Sequence, residues 1–247
     1  MRHLLTVERF KIVRSKIFYG ILACLGVFMF FFVIGLHADH PPMGAQGMFT
    51  PARFDILLTV WFPLFIAYFV AMEFQHKTIN DALCLGKTRV QVYLAKLFFV
   101  LCAVAVMVLA IMVGTTLGLT IRFGFGEVEG LFYVRHFLQA LVLQTFFQFG
   151  VAALFLMIAF MVRTPTMTVI LGVGYTLGTW FAGQMLRNLL FGGRFAFLTE
   201  FLPGLFHMDA ITRNDTGGII YGGIVSILWI VATTFIGCMV FKRTDLK

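Results

Sequence analysis

The run Ile17–Leu36 contains no charged residue. As a helix it is about 30 Å long, the thickness of a bilayer's hydrocarbon core. In that solvent backbone N–H and C=O groups must be satisfied inside the protein, and a continuous apolar run of this length does so as a helix. Similar runs follow at about 54–72, 97–121, 137–162, 167–185 and 217–241. The whole chain is 60% hydrophobic and 12% charged, against about 45–50% and 25% for a soluble domain. Little sequence is left for a soluble domain. The expected fold is an all-α polytopic membrane protein with six transmembrane helices in one domain, 1–247. A cleaved secretory signal would have an apolar core of about 7–15 residues and a small-x-small site. The first run is longer and ends in LHADHPP, so it reads as a retained span preceded by an interfacial segment, 1–16.

The net charge of +8 is explained by topology rather than by nucleic acid, because Lys and Arg collect on the cytoplasmic side. With both termini cytoplasmic, that side carries 13 of the 19 basic residues: Arg2, Arg9, Lys11, Arg14, Lys16, Lys77, Lys87, Arg89, Lys96, Arg163, Lys242, Arg243 and Lys247. The segment 186–216 is too polar to span and too apolar for a free loop. It reads either as re-entrant helices covered by protein or as amphipathic helices lying in the interface.

The spans hold almost no ionisable residues. An ion-coupled transporter keeps Asp, Glu or His in mid-membrane, and a hydrolase needs a buried acid, base or nucleophile. Neither pattern is present, so any energy comes from elsewhere. Four cysteines, Cys24, Cys84, Cys102 and Cys238, show no metal or redox spacing and read as small buried apolar residues. His37 and His40 lack the further ligands that a zinc site needs, so no metal is expected. Asn214-Asp215-Thr216 matches a glycosylation acceptor, but the pattern is short and common. Gln139, Gln144 and Gln148 lie on the fourth span. Gln144 and Gln148 share a face that should point inward, either lining a pathway or hydrogen bonding between helices. Small residues recur every fourth position at Gly114 and Gly118, at Gly174, Gly178 and Ala182, and at Gly218 and Gly222. This spacing permits close helix approach, within one subunit or, for the fifth span, between two.

The polar stretch 73–96, EFQHKTINDALCLGKTRVQVYLAK, contains LGKT. A phosphate-cradling loop needs glycine five residues before Gly86, where this chain has Asp81. Nucleotide binding by the segment is therefore excluded. Thr78 instead suits an N-cap, with Asp81 three residues on. Ile79, Ala82 and Leu83 make one apolar face, and Gly86 stops the helix. A two-turn helix over Ile79–Leu85 must dock on something to be stable. Thr88 can then cap a helix feeding the third span, with Arg89 and Lys96 at the lipid headgroups.

Glu73, Thr78 and Ile79, then Leu83, Gly86, Arg89, Tyr93 and Lys96, form the pattern E-x-x-x-x-T-I followed by L-x-x-G-x-x-R-x-x-x-Y-x-x-K. Before the first span stands E-x-x-K-x-x-R-x-K (Glu8, Lys11, Arg14, Lys16), and after the last stands FKRTD (Phe241–Asp245). The pattern resembles the permease subunits of ABC type 2 exporters, in a branch that includes bacterial antibiotic-resistance and bacteriocin-immunity permeases. That family often has glycine before the Thr, where this chain has Lys77. The resemblance implies a coupling helix (Thr78, Ile79, Asp81, Ala82, Leu83, Leu85, Gly86) seated on a separate cytosolic ATPase dimer, which binds ATP and Mg. It implies an N-terminal connecting helix and a second permease chain. The N-terminal pattern is imperfect, since Leu4, Leu5, Phe10, Ile12 and Val13 do not share one narrow face. The expected function is export of a hydrophobic or amphipathic substrate from a bacterial inner membrane, by a chain that is not itself an enzyme. A membrane scaffold or sensor docking a cytosolic partner, and a lipid-acting enzyme, are the competing classes.

Overall fold

A computed structural model describes residues 2–35, 55–79, 84, 86–124, 130–185 and 216–243. Among the described residues seven helices carry the fold: α1 (Arg2–Val13), α2 (Lys16–Gly35), α3 (Asp55–Ile66), α4 (Arg89–Phe123), α5 (Gly130–Val162), α6 (Pro165–Gln184) and α7 (Thr216–Arg243). α3 continues through a π-helical turn, Ala67–Ala71, into a last α-turn, Met72–Gln75. All regular structure among the described residues is helical. Nearly all of the segment expected to be re-entrant or interfacial, 186–216, lies outside the described residues, as do His37, His40, Asn214 and Asp215.

Among the described residues, four helices are long and apolar enough to cross a membrane: Lys16–Gly35, Arg89–Phe123, Leu141–Val162 and Ile219–Arg243. These carry the expected first, third, fourth and sixth spans. The second is the shorter apolar helix Thr59–Gln75, and the fifth is the 20-residue α6. Helix ends extend past the apolar runs. α4 begins at Arg89 because Thr88 accepts a bond from the Gln91 N–H while the Gln91 side chain accepts from the Thr88 N–H. This capping box starts the helix eight residues before the apolar run expected at Leu97. α5 likewise begins at Gly130, inside what reads as a loop. Between α5 and α6, Arg163 has φ 59° and Pro165 occupies the first turn of α6, where its missing N–H costs nothing.

α4 is the hub, in contact with α1, α2, α3, α5 and α7. Val100, Val104, Met107, Val108 and Ile111 line its buried side, against Phe147, Val151 and Phe155 of α5 among others. α2 runs close along α4. A Cβ on Gly114 would lie 2.6 Å from the Gly26 carbonyl oxygen, and one on Gly118 would lie 2.9 Å from that of Phe30. This glycine pair therefore packs within the chain. Pro63 inside α3 sits against Gly172 of α6, where any Cβ would collide with its ring. Outward residues of the long helices are apolar, such as Phe28 and Phe31 on α2 and Leu228, Val231 and Phe235 on α7. Several hydroxyls within the helices are satisfied locally, whereas those of Thr116, Ser226 and Thr234 meet no partner among the described residues. Thr115, Thr176 and Thr233 each donate to the carbonyl four residues earlier, a bond that is available in lipid.

The cysteines depart from expectation. Cys24, Cys84 and Cys102 are exposed free thiols and Cys238 is half-buried. On α2 and α4, Cys24 and Cys102 belong to the apolar outer surface, where a small thiol costs little.

Candidate functional site

α1, the last turn of α3 and the first turns of α4 meet in a buried ion cluster. Lys96 Nζ lies 2.7 Å from Glu8 Oε2 and 2.6 Å from Glu73 Oε1. Lys11 Nζ lies 2.9 Å from Glu73 Oε1 and 3.3 Å from Glu8 Oε1. The Lys96 side chain is 1% exposed and that of Glu8 is 3% exposed. Lys96 therefore does not reach the lipid headgroups, as its position in the sequence suggests. Its ammonium sits 4.3 Å over the Phe69 ring, on the π-helical turn. Two carboxylates and two ammoniums balance, which is how charges survive burial. Lys11 is the exposed member. Burial works to lower its pKa, but the Glu73 and Glu8 carboxylates outweigh this and raise it above the usual lysine value.

Arg89, Tyr93 and Lys96 stand at i, i+4 and i+7, on one face of α4. Arg89 Nη1 donates to the Phe241 carbonyl at 3.0 Å and to that of Lys242 at 2.8 Å. These are last-turn carbonyls of α7, which have no partner within the helix. The Tyr93 hydroxyl donates to the Thr233 carbonyl at 3.4 Å. Gly237 leaves room for the same hydroxyl, with which a Cβ there would collide. The Tyr93 ring packs on Phe160 at 4.7 Å, and Phe160 meets Phe241 at 4.9 Å and Phe74 at 5.3 Å. The R-x-x-x-Y-x-x-K spacing thus ties α4 to α7, to α5, and to α1 with α3.

From this seat the segment 76–88 departs and returns. His76–Thr78 form a turn, with Lys77 at φ 59°. L-residues adopt that left-handed conformation at a cost and glycine adopts it freely. Thr78 Oγ1 donates to the Glu73 carbonyl at 3.4 Å. Ile79 is helical but 2% exposed and belongs to the chain's own core. Its side chain therefore does not face outward, as the coupling face would require. Cys84 is helical and exposed, and Gly86 has φ +76°, as expected of a helix stop. Asp81, Ala82, Leu83 and Leu85 lie outside the described residues.

Of the other candidates, Arg14 borders this seat and the rest lie apart from it. Arg14 is exposed at the end of α1, with its guanidinium 5.4 Å over the Phe10 ring. Gln144 is 2% exposed and Gln148 is fully buried. Gln144 Nε2 and both polar atoms of Gln148 meet no hydrogen-bond partner among the described residues. Gly174, Gly178 and Ala182 form an exposed stripe on α6, and a Cβ on either glycine would meet nothing within 4 Å. No described group of His, Cys, Asp and Glu could hold a metal ion. The sequence pattern names Glu8, Lys11, Glu73 and Lys96 but not their meeting. Phe69, Phe74 and Phe160 carry no signal that separates them from the other phenylalanines.

A bundle of membrane-length helices, with an N-terminal helix pinned by ion pairs to a helix end, defines a multi-pass membrane protein. The description "ABC-2 family transporter protein" belongs to a family model that matches residues 4–179. The chain belongs to that family, and so is the membrane component of a transporter. No curated protein matches it.

Proposed function

We propose that the chain is the permease subunit of an ATP-binding cassette exporter and moves a hydrophobic or amphipathic substrate. A separate ATPase dimer, which binds ATP and Mg, supplies the energy through segment 78–86. The observation that carries this reading is the seat itself. Both flanks of the segment are fixed, at Glu73 by the ion cluster and at Thr88–Arg89 by the capping box and the bonds to α7. A short segment held at both ends can pass a push from a docked partner into α1, α3, α4 and α7. In this reading α3 with its π-turn and α6 also cross the membrane, giving six spans with both termini cytoplasmic. The exposed α6 stripe, Gly174, Gly178 and Ala182, then faces a second permease chain. A bacterial inner membrane and an antibiotic-resistance or bacteriocin-immunity role follow from the resemblance of the motifs.

Because Ile79 is buried in the chain's own core, a charge there would unfold the seat rather than report on docking. Cys84 is the exposed helical position. Cys84→Arg is expected to abolish co-purification of the ATPase while membrane insertion and thermal stability stay unchanged. Retention of a transporting complex would remove the coupling assignment.

A further inference from the structure

We propose that the cleft between α1 and the end of α3 binds the headgroup of an anionic phospholipid. The cleft holds about 480 Å³ and is lined by Phe10, Lys11, Arg14, Tyr68, Phe69 and His76, among others. That volume lies within the range of about 300–1,000 Å³ typical of ligand sites.

Charge selects an anion. The acids at the cleft are already matched, since Glu8 and Glu73 each bond both lysines. Among the described residues no carboxylate pairs with Arg14, nor with Arg9 or Lys16 beside it. Arg14 presents a fan of N–H donors and no acceptor. Its stacking over Phe10 holds it at the cleft. Lys11 uses two of its three N–H bonds on the carboxylates, and its half-exposed ammonium retains a third. The Ser15 hydroxyl, also at the cleft, accepts from the Phe18 N–H and keeps its own proton to donate.

The apolar surroundings select a lipid over a soluble anion. Val7, Phe10, Val13 and Ile17 form an exposed stripe along α1 and the start of α2. The opposite face of α1, Leu4, Glu8 and Ile12, is buried against the bundle. A helix with such an outer stripe and flanking basic residues lies at the boundary of headgroups and acyl chains. Phe10, Tyr68 and Phe69 wall the cleft on that side. An amphiphile would satisfy both surfaces, whereas a free phosphate would leave the aromatic wall wet. The inference rests on the membrane placement of the chain and not on its docking to an ATPase, so the two can fail separately.

The test uses the full chain purified in detergent, with native mass spectrometry reading retained lipid from equal phosphatidylglycerol and phosphatidylcholine. The expected result is preferential retention of phosphatidylglycerol. The preference should fall about fivefold with Arg14→Gln, which corresponds to about 1 kcal/mol per cation near the surface. It should fall further with added Lys16→Gln, and persist with Arg14→Lys and with Arg122→Gln at the far end of α4. Soluble glycerol phosphate should not displace the lipid. An unchanged preference in the double variant, an equal loss with Lys and Gln at position 14, or displacement by glycerol phosphate would each overturn the proposal.

Discussion

Lys77 occupies a backbone conformation that suits glycine, at φ 59°. Lys77→Gly should raise stability by up to about 1 kcal/mol, whereas Lys77→Val should lower it. Melting in detergent checks both. Lys96 is a larger case. Lys96→Met would leave Glu8 and Glu73 without their buried cation, with only the more exposed Lys11 to pair them. Breaking a buried ion pair from one side costs about 3–5 kcal/mol. Adding Glu8→Gln should recover part of that loss, because the two changes act on one contact. A double-mutant cycle on melting temperature measures the coupling, and simple additivity would show that the cluster is not energetically shared. The pKa of Lys11 is raised in the folded chain, so its contribution is complete below the unfolded value of 10.5. It is lost only as pH climbs through the higher folded value. The attachment of α1 through Lys11 should therefore be flat across about pH 6–9 and weaken only in strong alkali, as read by cross-linking of α1 to α3 against pH.

Elements were legible in the sequence where one physical rule dominates. Uninterrupted apolar runs fixed α2, α4, α5 and α7 within a few residues at the membrane side. The Thr88 cap of α4 was readable from its place before the third span, whereas the start of α5 at Gly130 was missed because it lies outside the hydropathy signal. α1 looked imperfect because it has two apolar faces. Leu4 and Ile12 pack inward beside Glu8, while Val7, Phe10 and Val13 face out, so no single stripe exists to be found. The π-turn Ala67–Ala71 has no sequence mark beyond Pro63 upstream, yet it sets the rotation of Phe69 and Glu73 toward Lys96. The Gly-x-x-x-Gly pairs read alike in sequence and differ in the fold. A Cβ on Gly114 would lie 2.6 Å from the α2 backbone, whereas one on Gly174 would meet nothing within 4 Å. Gly114→Leu should therefore force α2 off α4 and cost several kcal/mol through overpacking, which typically costs about 1–3 kcal/mol for smaller insertions. Gly174→Leu should leave monomer stability unchanged and shift only the dimer fraction. Thermal melting together with sedimentation separates the two.

The whole molecule joins a bundle centred on α4 to a polar seat at one end. The spacing of Glu8, Lys11, Glu73, Arg89, Tyr93 and Lys96 was readable, and the structure supplies its reason in the contacts that each residue makes. In the proposed topology the balance of Lys and Arg puts that end in the cytoplasm, and the exposed thiol of Cys84 makes the proposal directly measurable. Cys84 would be kept as the only cysteine, in sealed vesicles carrying the chain with a co-expressed cassette ATPase, and Gly124→Cys would serve as the opposite-end control. The account predicts that a bismaleimide joins Cys84 to the ATPase and that an impermeant maleimide reaches Cys84 only from the cytoplasmic side. Position 124 should give no cross-link and should label from the other side. A cross-link absent at Cys84, or a thiol there that labels from outside, would contradict the account.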